Sequence, residues 1–170
     1  MIAIRAAQPS DATALAELRW EFRAGRDAPV ESREAFVARC AAWMRKELAS
    51  GDAWRAWVAE EMHDPAARSG PGGSDTGSRR VVGQVWLHTI NKVPNPIAER
   101  ERHAYLSNLY VTPAARGGVG TRLLETVLAQ AAADGVDSIV LWPSALSRSL
   151  YLRHGFTPKG AVLERPSTAG

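Results

Sequence analysis

The run Tyr110-Val111-Thr112-Pro113-Ala114-Ala115-Arg116-Gly117-Gly118-Val119-Gly120-Thr121-Arg122-Leu123-Leu124 gathers residue types able to hold an anion. Aromatic and branched residues over Tyr105 to Thr112 predict a strand that Pro113 ends. A glycine-rich turn follows, and the turn opens a helix. Gly117, Gly118 and Gly120 let a backbone approach a ligand closely. The first N–H groups of the helix and the positive end of its dipole then suit a phosphate or pyrophosphate. Arg116 would add a charged contact. The same glycines would equally serve a plain tight loop. No Gly-Lys-Ser/Thr follows and no GxGxxG is present, so neither the P-loop nor the dinucleotide fingerprint applies.

A second segment, Leu141-Trp142-Pro143-Ser144 and then Arg148-Ser149-Leu150-Tyr151-Leu152-Arg153-His154-Gly155-Phe156, places a tyrosine on a short helix. Together the two segments resemble the acetyl-CoA-binding motif and the Leu-Tyr-x-x-x-Gly-Phe helix of the GNAT superfamily of N-acetyltransferases. Gly118-Val119-Gly120 falls on the family's Gly-x-Gly, and Leu123-Leu124 on its leucine pair. Ala115 then occupies the Arg/Gln position, which makes the loop one residue shorter than the common form. About 30 residues separate Gly120 from Tyr151, enough for one helix, one strand and a connector. Ile4-Arg5 with Pro9-Ser10-Asp11 is a weaker N-terminal likeness.

The resemblance implies a mixed, splayed β-sheet flanked by about four helices, with acetyl-CoA as co-substrate in the cleft. It implies that Leu109 and Val111 meet the pantetheine arm with Ser144 nearby, and that Arg116, Gly117, Gly118, Val119, Gly120 and Thr121 wrap the pyrophosphate. Tyr151 matches the tyrosine that protonates the leaving thiolate. Chemistry agrees: a thiol ionises near ~8.5 and a phenol near ~10, so a tyrosine holds its proton at neutral pH. As a plain structural residue, Tyr151 would be a core aromatic beside Leu150 and Phe156.

An amine attacks only when neutral, so a base or a water path is expected. Glu60, Glu61, Glu99, Glu101, His88 and His103 are candidates by type, although Glu99 to His103 reads as a solvated charged loop. Ser107 and Asn108 lie on the strand before the glycine loop and are candidates to orient the amine or a water; Asn108 joins Tyr151 as a catalytic candidate. His154, before Gly155, reads as a cation at a helix C-terminus. Cys40 lies among Val37, Ala41 and Met44 and reads as a buried, inert thiol. Trp20 and Trp43 fall on helix faces and Trp54, Trp57, Trp86 and Trp142 on strands, as core or cleft walls.

These residues need a frame to hold them. Met1 to Ala6 predicts a strand, and Ser10 or Asp11 an N-cap for a helix carrying Leu15, Leu18 and Phe22. A second helix runs from Ser32 to Ser50-Gly51 with Phe36, Val37, Cys40, Trp43, Met44 and Leu48 at helical spacings. Trp54–Glu60 and Val81–Ile90 predict strands joined by a long, flexible hairpin loop over 62–80, rich in glycine and proline. Gly120 onward predicts a helix burying Leu123, Leu124, Val127, Leu128 and Ala131, stopped by Gly135. Ser138 to Trp142 is almost wholly apolar, the pattern of a strand covered on both faces. Ser147 to His154 predicts a short helix, with a last strand through Val162 and Leu163. The order β-α-α-β-β-β-α-β-α-β is that of a mixed α/β or α+β sheet in one domain spanning 1–170.

The chain has 170 residues, 45% hydrophobic and 23% charged, with net charge +3 and pI near 9.4. Such values exclude a wholly disordered chain, and the small basic surplus with Arg79-Arg80 is weak ground for a nucleic-acid partner. One cysteine excludes an internal disulfide and a CxxC metal framework, and no metal site is expected. No signal peptide or membrane span is expected, and the setting is taken as cytoplasmic. The expected activity is acetyl transfer from acetyl-CoA to a primary amine of a small molecule or peptide, by direct attack in a ternary complex. A non-catalytic CoA-binding or interaction module is the alternative, and a homodimer is compatible with the resemblance.

Overall fold

The structure, a computed structural model, describes residues 1–24, 28–51, 53–62 and 79–158. Among the described residues five strands form one sheet in sequence order: β1 (Ile2–Ala6), β2 (Trp54–Met62), β3 (Arg79–Asn91), β4 (Arg102–Val111) and β5 (Ser138–Val140). The first three junctions are antiparallel, and β4 and β5 are parallel. Among the described residues four α-helices flank them: α1 (Ala12–Ala24), α2 (Arg33–Ser50), α3 (Val119–Ala133) and α4 (Arg148–Arg153). This is the expected mixed α/β sheet. β2 and β3 pair as far as Met62 and Arg79; the expected loop lies almost entirely over 63–78, outside the described residues. The expected strand through Val162 and Leu163 is also outside them.

The sheet has a helical layer on each face. Leu123, Leu124, Val127 and Ala131 of α3 pack with Val85, Leu87, Ala104, Leu106 and Val111. Their spacing of three and four is the apolar stripe expected of a helix on a sheet. On the other face Leu15 and Ala16 of α1 and Ala41 and Met44 of α2 pack with Ala56, Val58 and Trp86. Gly83 is where α3 comes closest: a Cβ there would lie 3.2 Å from Leu123 Cδ1, from the Tyr110 carbonyl and from Val111 Cγ2. Gln84, fully buried, is satisfied by donating to the Leu15 carbonyl at 3.2 Å and accepting from Trp86 Nε1 at 2.9 Å.

Helix boundaries follow local chemistry. Ser32 caps α2 by accepting from the Ala35 N–H at 3.2 Å, and Gly51 ends it at φ +66°. The expected Ser10 or Asp11 N-cap is corrected. Pro9–Asp11 forms a 3₁₀ turn, in which the Asp11 carboxylate accepts from the Gln8 N–H at 2.7 Å. Arg5 then grips both oxygens of Asp11 at 2.8 and 2.9 Å and reaches Glu60 at 2.8 Å, so Asp11 is committed to β1 and β2.

Two further expectations are corrected. Ser138 to Trp142 is not a strand covered on both faces: β5 stops at Val140, which is 44% exposed, and Trp142 is 64% exposed. An apolar run reports hydrophobicity, and its position at the end of the described sheet leaves β5 with one described neighbour, β4. Trp43, read as a core or cleft-wall residue, is likewise not buried. Phe22 lines a cleft and Trp43 is 43% exposed, stacked at the edge of Trp54 and Trp86.

Candidate active site

The site originates in a break in sheet regularity. Across β3 and β4 the register runs Gln84 to Tyr110 and then Trp86 to Ser107, which places one extra residue in β4. Asn108 takes up that bulge at φ +53°, a region that asparagine tolerates better than most residues. β4 and β5 pair only over His103–Tyr105 and Ser138–Val140, after which β4 continues to Val111 without its neighbour. The two strands therefore splay, as expected, and a cleft of about 350 Å³ opens between them.

That cleft passes from one face of the sheet to the other. Tyr151 belongs to the α3 side of the core, where its ring meets Phe156 edge-on at 5.5 Å between centroids. Arg19, Phe22 and Arg23 reach the cleft from α1, which packs on the opposite face. Ser107, Asn108 and Leu109 form its floor along β4, and Leu141, Trp142 and Ser144 its far wall. Tyr105 and Trp142 meet edge-on across it at 5.1 Å between centroids.

Tyr151 is 7% exposed, and burial, with a lesser contribution from Tyr105, pushes its phenol up to about 12. The ring is presented by α4, whose first turn is built by a pair of serines. Ser144 N–H donates to Ser147 Oγ at 3.0 Å, and the Ser144 carbonyl accepts from the N–H groups of Ser147 and Arg148. The Ser144 and Ser147 hydroxyls are 2.9 Å apart. Asn108 Oδ1 accepts a hydrogen bond from Arg19 Nη1, which ties the bulge to α1.

The glycine loop lies beyond the cleft at the end of β4. Pro113–Ala115 makes a 3₁₀ turn closed by Arg116, which is exposed. Gly117 and Gly118 follow at φ +112° and +93°, conformations that favour glycine. Gly118 is the N-cap of α3, and the first intrahelical bond runs from Arg122 N–H to its carbonyl at 3.0 Å. The amides of Val119, Gly120 and Thr121 precede that bond and have no intrahelical acceptor. A Cβ at Gly117 or Gly118 would meet nothing within 4 Å, so open space faces this turn. Val111 lies beneath, its Cγ2 3.9 Å from where a Gly120 Cβ would stand.

The structure thus brings Asn108, Leu109, Ser144 and Tyr151 to one cleft, while Val111 and Arg116 to Thr121 follow at the end of β4 and the start of α3, outside the cleft lining. The acid-base candidates go elsewhere. Glu60 is paired with Arg5, Glu99 with Lys92, and Glu101 accepts from the Asn95 N–H. His103 Nδ1 bonds Ser138 Oγ, and His88 stacks on Trp54 with centroids 4.4 Å apart, behind the cleft wall. No Asp, Glu or His is among the described residues lining the cleft. His154 caps α4 with Nδ1 2.8 Å from the Leu150 carbonyl. Cys40 is half-buried on α2, away from the cleft, and burial pushes its thiol up.

Sequence reasoning did not place Arg19, Arg23, Tyr105 and Ser147 in the cleft, whereas Trp54, read as a core or cleft wall, lines it. The spacing of Arg19 and Arg23, four residues apart on one helical face, was the available signal. Among the described residues no group of three or more His, Cys, Asp or Glu could hold a metal ion, and no helix is long and apolar enough to cross a membrane.

A model of the Acetyltransferase (GNAT) family matches residues 31–156. The chain therefore belongs to the GNAT acetyltransferase family, whose members are transferases that use acetyl-CoA. Solved structures with the same fold include a GCN5-related N-acetyltransferase from Ralstonia eutropha JMP134, at 26% identity and TM-score 0.73, covering 99% of this chain and 100% of that one. A predicted acetyltransferase from Clostridium acetobutylicum, solved with acetyl-CoA, is similar at 20% identity and TM-score 0.71, covering 98% and 96%. Glucosamine-6-phosphate N-acetyltransferase from Arabidopsis thaliana is similar at 16% identity and TM-score 0.66, covering 98% of each chain. A comparison with curated protein sequences returned no match.

Proposed function

We propose that this protein transfers the acetyl group of acetyl-CoA to a primary amine by direct attack, with both substrates bound at once. The observation that carries this reading is the through-sheet cleft, which Tyr151 enters from the α3 face of the sheet and Arg19 and Arg23 from the other. Two substrates entering from opposite faces meet at the β4 bulge without passing each other. Acetyl-CoA supplies an activated thioester acyl group. The open turn at Gly117 and Gly118 and the amides of Val119, Gly120 and Thr121 suit its pyrophosphate, with Arg116 as a charged neighbour. Leu109 and Val111, on the end of β4 that β5 no longer flanks, with Ser144 opposite Leu109 in the cleft, suit its pantetheine arm.

Direct attack is favoured over an acyl-enzyme by what lines the cleft. Cys40 is outside it, and among the described residues lining the cleft no imidazole or carboxylate stands beside Ser107, Ser144 and Ser147 to activate a hydroxyl. The amine proton then leaves to water, with Ser107 and the Arg19-fixed Asn108 orienting the amine. Tyr151, protonated throughout the neutral range, donates its O–H to the departing sulfur.

Thermal shift with acetyl-CoA, CoA and ATP, followed by CoA release measured with a thiol-reactive chromophore over a panel of primary amines, tests the reading. A selective shift with acetyl-CoA and CoA and amine-dependent CoA release is expected. Cofactor binding without release on any amine would overturn catalysis and leave a CoA-binding module.

A further inference from the structure

The cleft is described above by its acyl chemistry, but its α1 side has a charge character of its own. Arg19 and Arg23 are one helical turn apart and both line it, while its described lining holds no carboxylate. Like charges at this spacing repel. Arg19 is engaged with Asn108 Oδ1 and lies over the Phe22 ring at 5.9 Å. Arg23 is exposed and forms no ion pair among the described residues.

We infer that the acceptor is an amine that also carries an oxyanion, a carboxylate or phosphate, received by Arg23 with Arg19 beside it. This deepens the proposed reaction and rests on it for the fate of the amine. A guanidinium presents a planar fork of donors that fits two oxygens of a carboxylate or phosphate, which a single ammonium cannot match. A polycationic acceptor needs carboxylates to compensate its further charges as they leave water; here they would face two guanidiniums. These arginines lie on the face opposite α3, so the proposed pyrophosphate site on the α3 amides does not already account for them. An oxyanion anchored there directs the amine of a short molecule inward, toward Asn108 and Ser107 on the cleft floor.

The test compares phenylalanine with phenylalaninamide and phenethylamine, O-phosphoethanolamine with ethanolamine, and spermidine as the polycation. Readouts are CoA release and, independently of turnover, quenching of tryptophan fluorescence, since Trp54 and Trp142 line the cleft. The oxyanion-bearing member of a pair should show kcat/KM about tenfold or more above its neutral partner, the size expected of a charge-assisted contact. In Arg23→Gln that preference should collapse through a rise in KM for the anionic acceptor, with KM for acetyl-CoA unmoved. The two pairs separate carboxylate from phosphate recognition. Equal or better turnover of neutral amines or spermidine would overturn the inference and leave the acetyl transfer standing. Quenching by an anionic amine, lost in Arg23→Gln but with no CoA release on any amine, would uphold the oxyanion site and overturn the proposed reaction. No quenching with either anionic probe and no release with any amine would overturn both.

Discussion

Replacing Tyr151 by phenylalanine isolates one O–H in the proposed reaction. The ring is 7% exposed and keeps its edge contact with Phe156 in the variant. Its hydroxyl is not an unsatisfied buried group, and removing it strands no described partner, so stability should change by less than about 1 kcal/mol. The effect on turnover is worked from the phenol's position at about 12. A thiol ionises near ~8.5, so outright transfer from phenol to thiolate is uphill by roughly 3.5 units, or about 5 kcal/mol. The hydroxyl therefore acts chiefly by donating a hydrogen bond to negative sulfur, and the acylated nitrogen, shedding its proton, makes the overall step favourable. A hydrogen bond to a charged group contributes about 1.5–3 kcal/mol, which converts to a roughly 10- to 150-fold loss of kcat.

The assay is CoA release at saturating acetyl-CoA, with the dissociation constant of acetyl-CoA from calorimetry beside it. Tyr151→Phe should lose turnover and keep affinity. Turnover within twofold of the parent at unchanged affinity would refute the role of the hydroxyl. The sign of the pH dependence follows from the same burial. The neutral phenol is favoured in the fold, so its proton is present below about 10 and is lost only as pH rises through about 12. No alkaline limb of kcat below about pH 11 should therefore belong to Tyr151; a limb between 8 and 10 that vanishes in the phenylalanine variant would contradict it.

Three other perturbations probe the frame. Gly118→Val forces a branched side chain to φ +93°, a strain of about 1–2 kcal/mol; acetyl-CoA should bind roughly 5- to 30-fold more weakly by calorimetry, and unaltered affinity would detach this turn from the cofactor. Glu60→Gln removes a charge-assisted partner of Arg5 at a buried position and should cost about 1–3 kcal/mol in urea unfolding at pH 7. Arg5 holds the Glu60 carboxyl below its usual range, so that contribution is present above about pH 4 and fades as pH falls through the lowered folded value; a cost that persists undiminished at pH 2 would refute the electrostatic account. Gly83→Ala places a methyl 3.2 Å from Leu123, Val111 and the Tyr110 carbonyl and should destabilise by about 1–3 kcal/mol, with a neutral result in urea unfolding showing that α3 can back away from the sheet.

What the sequence makes legible here is whatever depends on neighbours along the chain. Ser32 and Gly51 bracket α2 because capping is a contact across three or four residues, and the α3 stripe is legible because helical spacing repeats. The turn at Gly117 and Gly118 is legible for the same reason, its positive φ angles being a local demand on residue type. The cleft itself is not local. It exists because one extra residue in β4 and a three-residue β5 let two strands part, and neither Asn108 nor Val140 announces that in its type. Trp142 shows how this misleads: in an apolar run it reads as a strand residue packed on both faces, yet with β5 ended at Val140 it stands 64% exposed on the cleft wall. Asp11 misleads in the opposite direction, a competent helix cap held instead by Arg5 of β1. Arg19 and Arg23 complete the case, since their pairing on one helical face is visible in the sequence while the cleft they face depends on where the sheet opens. The proposed cofactor side of this site is therefore written in a contiguous motif, whereas the proposed acceptor side is assembled from α1, the β4 bulge and the β5 edge. Acceptor specificity is consequently where perturbing single residues such as Arg23 carries more information than further reading of the chain.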